Sequence, residues 1–136
     1  MRFARPVVID TGVLISAAIR PQSVPAMALQ RALLHHEVCA SAETLGELNQ
    51  VLLRSKFDRY ASVAVRQAFL QGFRAHLQLT EVVVQVNECC DPKDDKFLSL
   101  AWAVGAELII ASDPHLTQMH PWRSIPILPP AAFLVM

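Results

Sequence analysis

The sequence lacks net charge, because its 12 Lys and Arg residues are balanced by 12 Asp and Glu residues. A neutral chain has no strong overall field that draws it onto nucleic acid, so any binding of a polyanion must come from a local patch. There is also no apolar run of about 18 residues, which excludes a membrane-spanning helix. Asp10 interrupts the apolar stretch near the amino end, which argues against a secretory signal. We therefore expect a cytoplasmic protein.

Cysteine and glycine are both scarce, and their spacing excludes several kinds of site. The three cysteines, Cys39, Cys89 and Cys90, form no C-x-x-C pair, so a structural zinc site is not expected. Such a set fits a reducing compartment. With 4 glycines, the chain contains neither glycine-rich phosphate-binding pattern and no G-x-S-x-G elbow. Nucleotide binding through a phosphate loop and serine hydrolysis are therefore excluded.

Apolar residues make up 53% of the chain and indicate one globular domain over residues 1–136. Strand-like and helix-like patterns alternate, which is typical of right-handed βαβ units. Strands are predicted at 7–9, 38–40, 82–86, 108–111 and, as a candidate fifth, 125–128. Helices are predicted at 13–19, 24–35, 41–56, 62–77 and 91–104. The predicted fold class is α/β, a three-layer α/β/α sandwich with a central parallel sheet of four to five strands.

Two segments carry expectations about burial. Residues 82–86 (Val-Val-Val-Gln-Val) are predicted to form a strand buried on both faces, as strands of parallel sheets are. In the fourth helix, Val65, Phe69, Phe73 and Leu77 share one apolar face at helical spacing. The sequence therefore predicts that this face packs against the core.

Acidic residues follow four of the apolar runs. They are Asp10 after the first run, Glu47 in the helix after the second, Asp91, Asp94 and Asp95 after the third, and Asp113 after the fourth. Because the carboxyl ends of parallel strands form one edge of a sheet, we expect these acids to converge there. Two like charges about 4 Å apart near a protein surface repel by roughly 4 kcal/mol, so the convergence requires a cation. A divalent metal is the simplest one.

Helical spacing separates the three neighbouring aspartates. Asp94 lies on the same stripe as Phe97 and Ala101, so it is expected to end the buried face and to point at the sheet edge. Asp91 is expected to cap the helix, with a proline in the first helical position. Asp95 lies about 100° around the helix and is expected to face water or a second layer around the metal.

The chemistry expected of this site follows from its oxygen ligands. Carboxylates select Mg²⁺ or Mn²⁺ over zinc or copper. Such an ion lowers the pKa of a bound water and neutralises charge on a cleaved phosphodiester. Glu47 is the candidate for orienting that water or for holding a second ion. His115 and His120 follow Asp113 but are expected to lie in a surface loop rather than to bind metal.

Four ordered segments resemble the PIN-domain nuclease family. The start, Val-Val-Ile-Asp-Thr-Gly-Val-Leu-Ile-Ser-Ala (7–17), is similar to the family's first motif, and Ser-Ala-Glu-Thr-Leu-Gly-Glu-Leu (41–48) to its helical glutamate. Asp-Pro-Lys-Asp-Asp-Lys-Phe-Leu-Ser-Leu-Ala (91–101) and Gly-Ala-Glu-Leu-Ile-Ile-Ala-Ser-Asp-Pro-His-Leu (105–116) are similar to its later acidic blocks. One departure is Gly12, which stands where the family commonly has Asn or Ser.

The resemblance is greatest to stand-alone toxins of the VapC kind. It implies an endoribonuclease that depends on Mg²⁺ or Mn²⁺, cleaves RNA, is inhibited by a cognate antitoxin protein and forms a homodimer. It carries the catalytic, metal-binding role over to Asp10, Glu47, Asp94 and Asp113. Asp95 is a further candidate for the metal site.

Two alternatives remain from the sequence. A non-catalytic PIN interaction module would carry the same acids without cleaving RNA, and a PIN nuclease could instead serve RNA processing. A DNA-specific nuclease is disfavoured because the chain has no extended basic domain. Candidate phosphate contacts are Arg20, Arg54 and Lys56.

Overall fold

The central element of the fold is a parallel sheet, which the computed structural model describes within residues 4–136. Its strands are β1 (Arg5–Ile9), β2 (His36–Ala40), β3 (Gln78–Leu79), β4 (Leu108–Ile110) and β5 (Ile127–Leu128). Their order is β3-β2-β1-β4-β5, and all neighbouring pairs are parallel. The sequence-based domain limits of 1–136 remain a prediction, and residues 1–3 lie outside the described part.

Helices cover both faces of this sheet. They are α1 (Thr11–Ile19), α2 (Val24–His35), α3 (Ala42–Leu52), α4 (Val63–His76), α5 (Asp95–Val104), α6 (Pro114–Thr117) and α7 (Pro130–Leu134). Alternate residues of β1 enter different clusters: Val7 and Ile9 pack with α1 to α4 and α7, whereas Val8 packs with α5. The predicted three-layer sandwich with a parallel sheet is confirmed. No helix in residues 4–136 has the length and apolarity required to cross a bilayer.

The ends of the helices follow from local capping chemistry. Ser23 accepts a hydrogen bond from the backbone N–H of Ala26, and α2 begins where the sequence predicts. Ser41 and Thr44 form a reciprocal cap at the start of α3. Gly105 ends α5 in the left-handed region with φ +62°, as expected of a glycine at this position. The helix predicted over 41–56 is shorter, because α3 ends at Leu52 and a separate 3₁₀ turn covers Ser55–Phe57.

The strand predicted at 82–86 is wrong. The third strand is Gln78–Leu79, and the valine-rich run after it is an open loop in which Val83 is 82% exposed. The register gives the reason, since Leu79 pairs with Ala40, the last residue of β2. Beyond that pair the neighbouring chain turns into α3, so the valine-rich run has no strand to pair with. An apolar run alone therefore did not determine a buried strand.

The apolar face predicted for α4 is only partly correct. Phe73 is buried, but Val65 is 53% exposed, and Arg66 is fully buried in its place. The Arg66 guanidinium donates hydrogen bonds to the carbonyl oxygens of Leu52, Arg54 and Ala61 and contacts the Asp58 carboxylate. Arg66 therefore holds the connection between α3 and α4, which the hydrophobic pattern could not indicate.

We expect the substitution Arg66→Leu to lower the free energy of unfolding by roughly 3 kcal/mol, because it leaves several backbone carbonyls without donors. Arg74→Leu, at an exposed position of the same helix, is the matched control and should change stability little. Urea unfolding followed by circular dichroism measures both. Equal stability of the two variants would show that the Arg66 contacts do not hold the connection.

Candidate active site

The acidic residues meet where the order of the strands reverses. From β1, the chain proceeds outward through β2 and β3 on one side and through β4 and β5 on the other. A crevice outside the carboxyl ends of β1 and β4 is the general position of sites in open α/β sheets. Asp10 directly follows β1, and Asp113 lies three residues after the end of β4.

Asp10 connects the two central strands through its carboxylate. Its Oδ1 accepts the backbone N–H of Val13 at 2.9 Å and so caps α1, while its Oδ2 accepts the N–H groups of Ser112 at 2.9 Å and Asp113 at 3.2 Å. The residue is 2% exposed. Burial raises the pKa of Asp10, and the three backbone hydrogen bonds oppose this rise. Asp10 thus combines the capping role with a position among the acids.

Gly12 allows the close approach of α1 to the segment after β4. A Cβ atom added at Gly12 would lie 2.9 Å from the Oγ of Ser112, closer than such contacts normally are. The glycine therefore makes room for Ser112, whose backbone N–H donates to Asp10. A larger residue here would require the Ser112 side chain to shift.

Asp94 is the most buried acid at the start of α5, with 10% of its side chain exposed. Its Oδ2 is buried and has no hydrogen-bond partner within residues 4–136. Burial is the main cause that raises the pKa of Asp94 to about 7. A side-chain hydrogen bond with Asp113 and the negative charges of Asp113 and Asp91 raise this pKa further, whereas the positive charge of Lys96 lowers it. The prediction that Asp94 ends the buried face of the helix agrees with its burial.

His115 lies among the acids rather than apart from them. Its Nδ1 is 3.5 Å from Asp91 Oδ2, 3.5 Å from Asp113 Oδ1 and 4.0 Å from Asp94 Oδ2. Atoms of Asp91, Asp94 and His115 lie within 4.8 Å of one another, close enough to bind one ion. Asp113 caps α6 by accepting the backbone N–H of His115 at 2.9 Å, which holds the His115 backbone beside the acids. In the sequence, this proximity could have been inferred from the position of His115, two residues after the capping Asp113.

Glu47 is held in place by neighbours of the other acids. Thr11, next to Asp10 in the chain, donates its hydroxyl to Glu47 Oε1 at 2.5 Å. The Lys96 ammonium lies 2.7 Å from Glu47 Oε2, and the Lys96 side chain is 13% exposed. Sequence reasoning did not identify Lys96, whose partner Glu47 is distant in the chain.

Asp95 points to a neighbouring loop. Its Oδ1 accepts the backbone N–H groups of Glu88 at 3.1 Å and Cys89 at 2.8 Å. Within residues 4–136 its hydrogen bonds reach none of the other predicted acids. Asp95 therefore orders the segment that leads to Asp91.

Comparison with known proteins identifies the family and the fold of the chain. The sequence model of the family described as PIN domain matches residues 6–115, most of the chain. The chain belongs to the PIN domain family. No curated protein matches the sequence of this PIN domain significantly.

Several solved structures resemble this PIN domain, including the following two. One is VapBC2 from Rickettsia felis bound to a DNA fragment from their promoter, with a TM-score of 0.58 and 12% identity over 90% of this chain and 96% of that chain. The other is VapC20 from Mycobacterium tuberculosis, described as a sarcin-ricin loop cleaving toxin, with a TM-score of 0.53 and 12% identity over 79% of this chain and 89% of that chain. At these identities the likeness shows a shared fold.

The acids of this PIN domain fit a divalent metal. The donor set consists of carboxylate oxygens with one imidazole, and hard oxygen ligands favour Mg²⁺ or Mn²⁺. The buried Asp94 Oδ2 is the atom that supports this fit most directly, since it lacks a donor within residues 4–136. A buried carboxylate oxygen without a partner is costly unless a proton or a cation compensates for it.

The raised pKa of Asp94 predicts how stability depends on pH in chelator. The ordinary pKa is 3.8 and the folded one about 7, so between these values the folded chain keeps a proton that the unfolded chain has released. The free energy of unfolding therefore falls as pH rises through this window. We expect the melting temperature in EDTA to be lower at about pH 8 than at about pH 5, by about 5 °C or more.

Asp94→Asn should remove most of this dependence, because an amide does not titrate in this range. Glu37→Gln, which changes an exposed carboxylate at the start of β2, should retain it. Thermal unfolding followed by calorimetry measures the three proteins. A pH dependence that is unchanged in Asp94→Asn would contradict the assignment.

Proposed function

We propose that this PIN domain is a metal-dependent endoribonuclease that hydrolyses RNA phosphodiester bonds as the toxin of a toxin–antitoxin pair. The observation that carries the proposal is the buried Asp94 oxygen without a donor within residues 4–136, set beside the carboxylates of Asp91 and Asp113. Membership of the PIN domain family supports a nuclease. A cytoplasmic location fits this function.

The proposed metal ligands are Asp10, Asp94 and Asp113. A bound Mg²⁺ or Mn²⁺ supplies an activated water and offsets the charge on the phosphodiester. Asp10 keeps Asp113 in place through the backbone N–H that it accepts. Glu47, fixed by Thr11 and Lys96, orients the attacking water. His115 lies within reach of the Asp94 and Asp113 oxygens and completes the site.

The proposed role of Asp95 is to position the ligands. Its two backbone hydrogen bonds hold the segment before Asp91, so its contribution to metal affinity acts through that segment. This assignment refines the sequence-based prediction, which grouped Asp95 with the metal-binding acids.

A basic segment after α3 supports contact with the RNA backbone. Arg54, Lys56 and Arg59 are exposed there, and the buried Arg66 orders the segment through the Leu52, Arg54 and Ala61 carbonyls. Leu52 lies five residues after Glu47, about 8 Å along the helix axis. An RNA strand bound at the acids can therefore reach this segment. Arg20 ends α1 at the far end from Asp10 and is less suited to this role.

The proposed partners are those that the family resemblance implies, and the solved structures with the same fold support the antitoxin. One of them is described as VapBC2 with promoter DNA and the other as a toxin that cleaves the sarcin-ricin loop. We propose a cognate antitoxin protein, an RNA substrate and a homodimer for this chain. The sequence of the neighbouring reading frame tests the antitoxin, and light scattering tests the dimer.

We expect the purified chain, freed of any antitoxin, to cleave labelled single-stranded RNA with Mg²⁺ or Mn²⁺ and to lose this activity in EDTA. Asp10→Asn should lower the rate by at least about a hundredfold, because it removes a metal ligand. Glu37→Gln is the control that should cleave at the wild-type rate. Equal cleavage by Asp10→Asn would indicate a contaminating nuclease and contradict the proposal. Metal binding without cleavage would identify a non-catalytic PIN module.

We expect Asp94→Asn and Asp95→Asn to differ in metal affinity. Loss of a direct ligand should weaken Mn²⁺ binding by at least about a hundredfold, whereas loss of a positioning group should weaken it by about tenfold. Isothermal titration calorimetry with Mn²⁺ measures both. A larger effect of Asp95→Asn would place Asp95 among the direct ligands instead.

A further inference from the structure

A cavity of about 490 Å³ lies beside the acids, between the amino end of α3 and the loop after β3. Its apolar wall includes Ala42, Leu79 and Val82, and its polar lining includes Glu43 and Glu81. This volume lies within the range of small-ligand sites, roughly 300–1,000 Å³. Further polar residues, among them Gln85 and Lys96, complete the lining.

The loop that forms one wall is fixed at both ends but leaves apolar side chains in water. The backbone N–H of Thr80 donates to the Ala40 carbonyl at 2.8 Å, and the N–H of Val86 donates to Ser99 Oγ at 2.8 Å. Between these anchors Val83 is 82% and Val84 65% exposed. Neither valine lines the cavity, whose wall on this side is formed by Thr80, Glu81, Val82 and Gln85.

The cavity is continuous with the candidate active site through Lys96. This residue lines the cavity, and its ammonium lies 2.7 Å from Glu47 Oε2. Glu43 also links the two, because it precedes Glu47 by one helical turn and the two Cβ atoms are therefore about 6 Å apart. A ligand in the cavity thus lies next to a phosphate held at the acids.

We propose that this cavity binds an unpaired guanine of the RNA substrate, adjacent to the cleaved phosphodiester. The inference rests on the proposed ribonuclease function and deepens it. Unpaired bases in RNA loops are recognised by apolar contact with their faces and by hydrogen bonds to their edges. The apolar wall supplies the first kind of contact, and the carboxylates of Glu43 and Glu81 supply the second.

Guanine is the base that matches carboxylate acceptors. An ionised carboxylate only accepts hydrogen bonds, and its two oxygens can take two parallel donors. Guanine presents two adjacent donors, N1–H and the N2 amino group. Adenine and cytosine place a ring-nitrogen acceptor beside their amino group, and uracil places its N–H between two carbonyls. Lys96 then faces the phosphate that follows the base.

The first test measures base preference. A single-stranded RNA library with random sequence is cleaved, and the cut ends are sequenced. Wild type should enrich guanine by about tenfold or more at one fixed position beside the cut. Glu43→Gln or Glu81→Gln should reduce this enrichment several-fold, while Glu37→Gln at the other end of the sheet should retain it. Enrichment that is absent in wild type, or unchanged in both cavity variants, overturns the inference.

The second test does not depend on cleavage. Guanosine 5′-monophosphate and inosine 5′-monophosphate, which lacks the N2 amino group, are titrated into the intact chain in EDTA. We expect amide shifts at Thr80, Val82 and Glu43 in NMR spectra, with several-fold tighter binding of the guanosine nucleotide. Nucleotide binding without RNA cleavage would contradict the proposed function and support the guanine site. RNA cleavage with no base preference and no nucleotide binding would support the proposed function and contradict the guanine site.

Discussion

Repulsion among buried carboxylates is the constraint on which the rest of this fold depends. Asp10 and Asp94 are both buried at the edge of the sheet, and burial raises the pKa of each. The chain answers this in two ways. Backbone N–H groups surround Asp10, whereas Asp94 Oδ2 has no donor within residues 4–136. At Asp10 the protein itself supplies the hydrogen bonds that compensate for burial, whereas Asp94 Oδ2 requires a proton or a cation.

The same geometry explains why Asp10 serves structure and site together. By accepting from Val13 it begins α1, and by accepting from Ser112 and Asp113 it joins the end of β1 to the segment after β4. Loss of its negative charge weakens three charge-assisted hydrogen bonds at once. Stability and the proposed metal binding therefore both depend on the charge of Asp10. At Asp94, the ionised carboxylate suits a metal, but without a metal its ionisation lowers the free energy of unfolding.

An apolar run followed by a carboxylate needs only the strand direction to place that carboxylate at the edge of the sheet, as for Asp10 after β1 and Asp113 after β4. The sequence predicted the 82–86 strand wrongly because pairing depends on the length of β2, which ends at Ala40. Lys96 was not identified, and His115 was expected to lie in a surface loop, for a related reason. Lys96 pairs with Glu47 of α3, and His115 lies near Asp91 of another segment, so these proximities depend on the three-dimensional arrangement.

The failure of the valine-rich run to form a strand has a functional consequence. Because β2 turns into α3 after Ala40, the chain beyond Leu79 must cross to α5 without a partner, and this path leaves the cavity above the start of α3. The acids then lie at the strand reversal, and the cavity lies beside them on the β2–β3 side, with Lys96 between. The proposed hydrolysis and the proposed base recognition consequently depend on different residues. A change in the 80–86 loop would alter which base fits, and the bonds that hold Asp10 would stay intact.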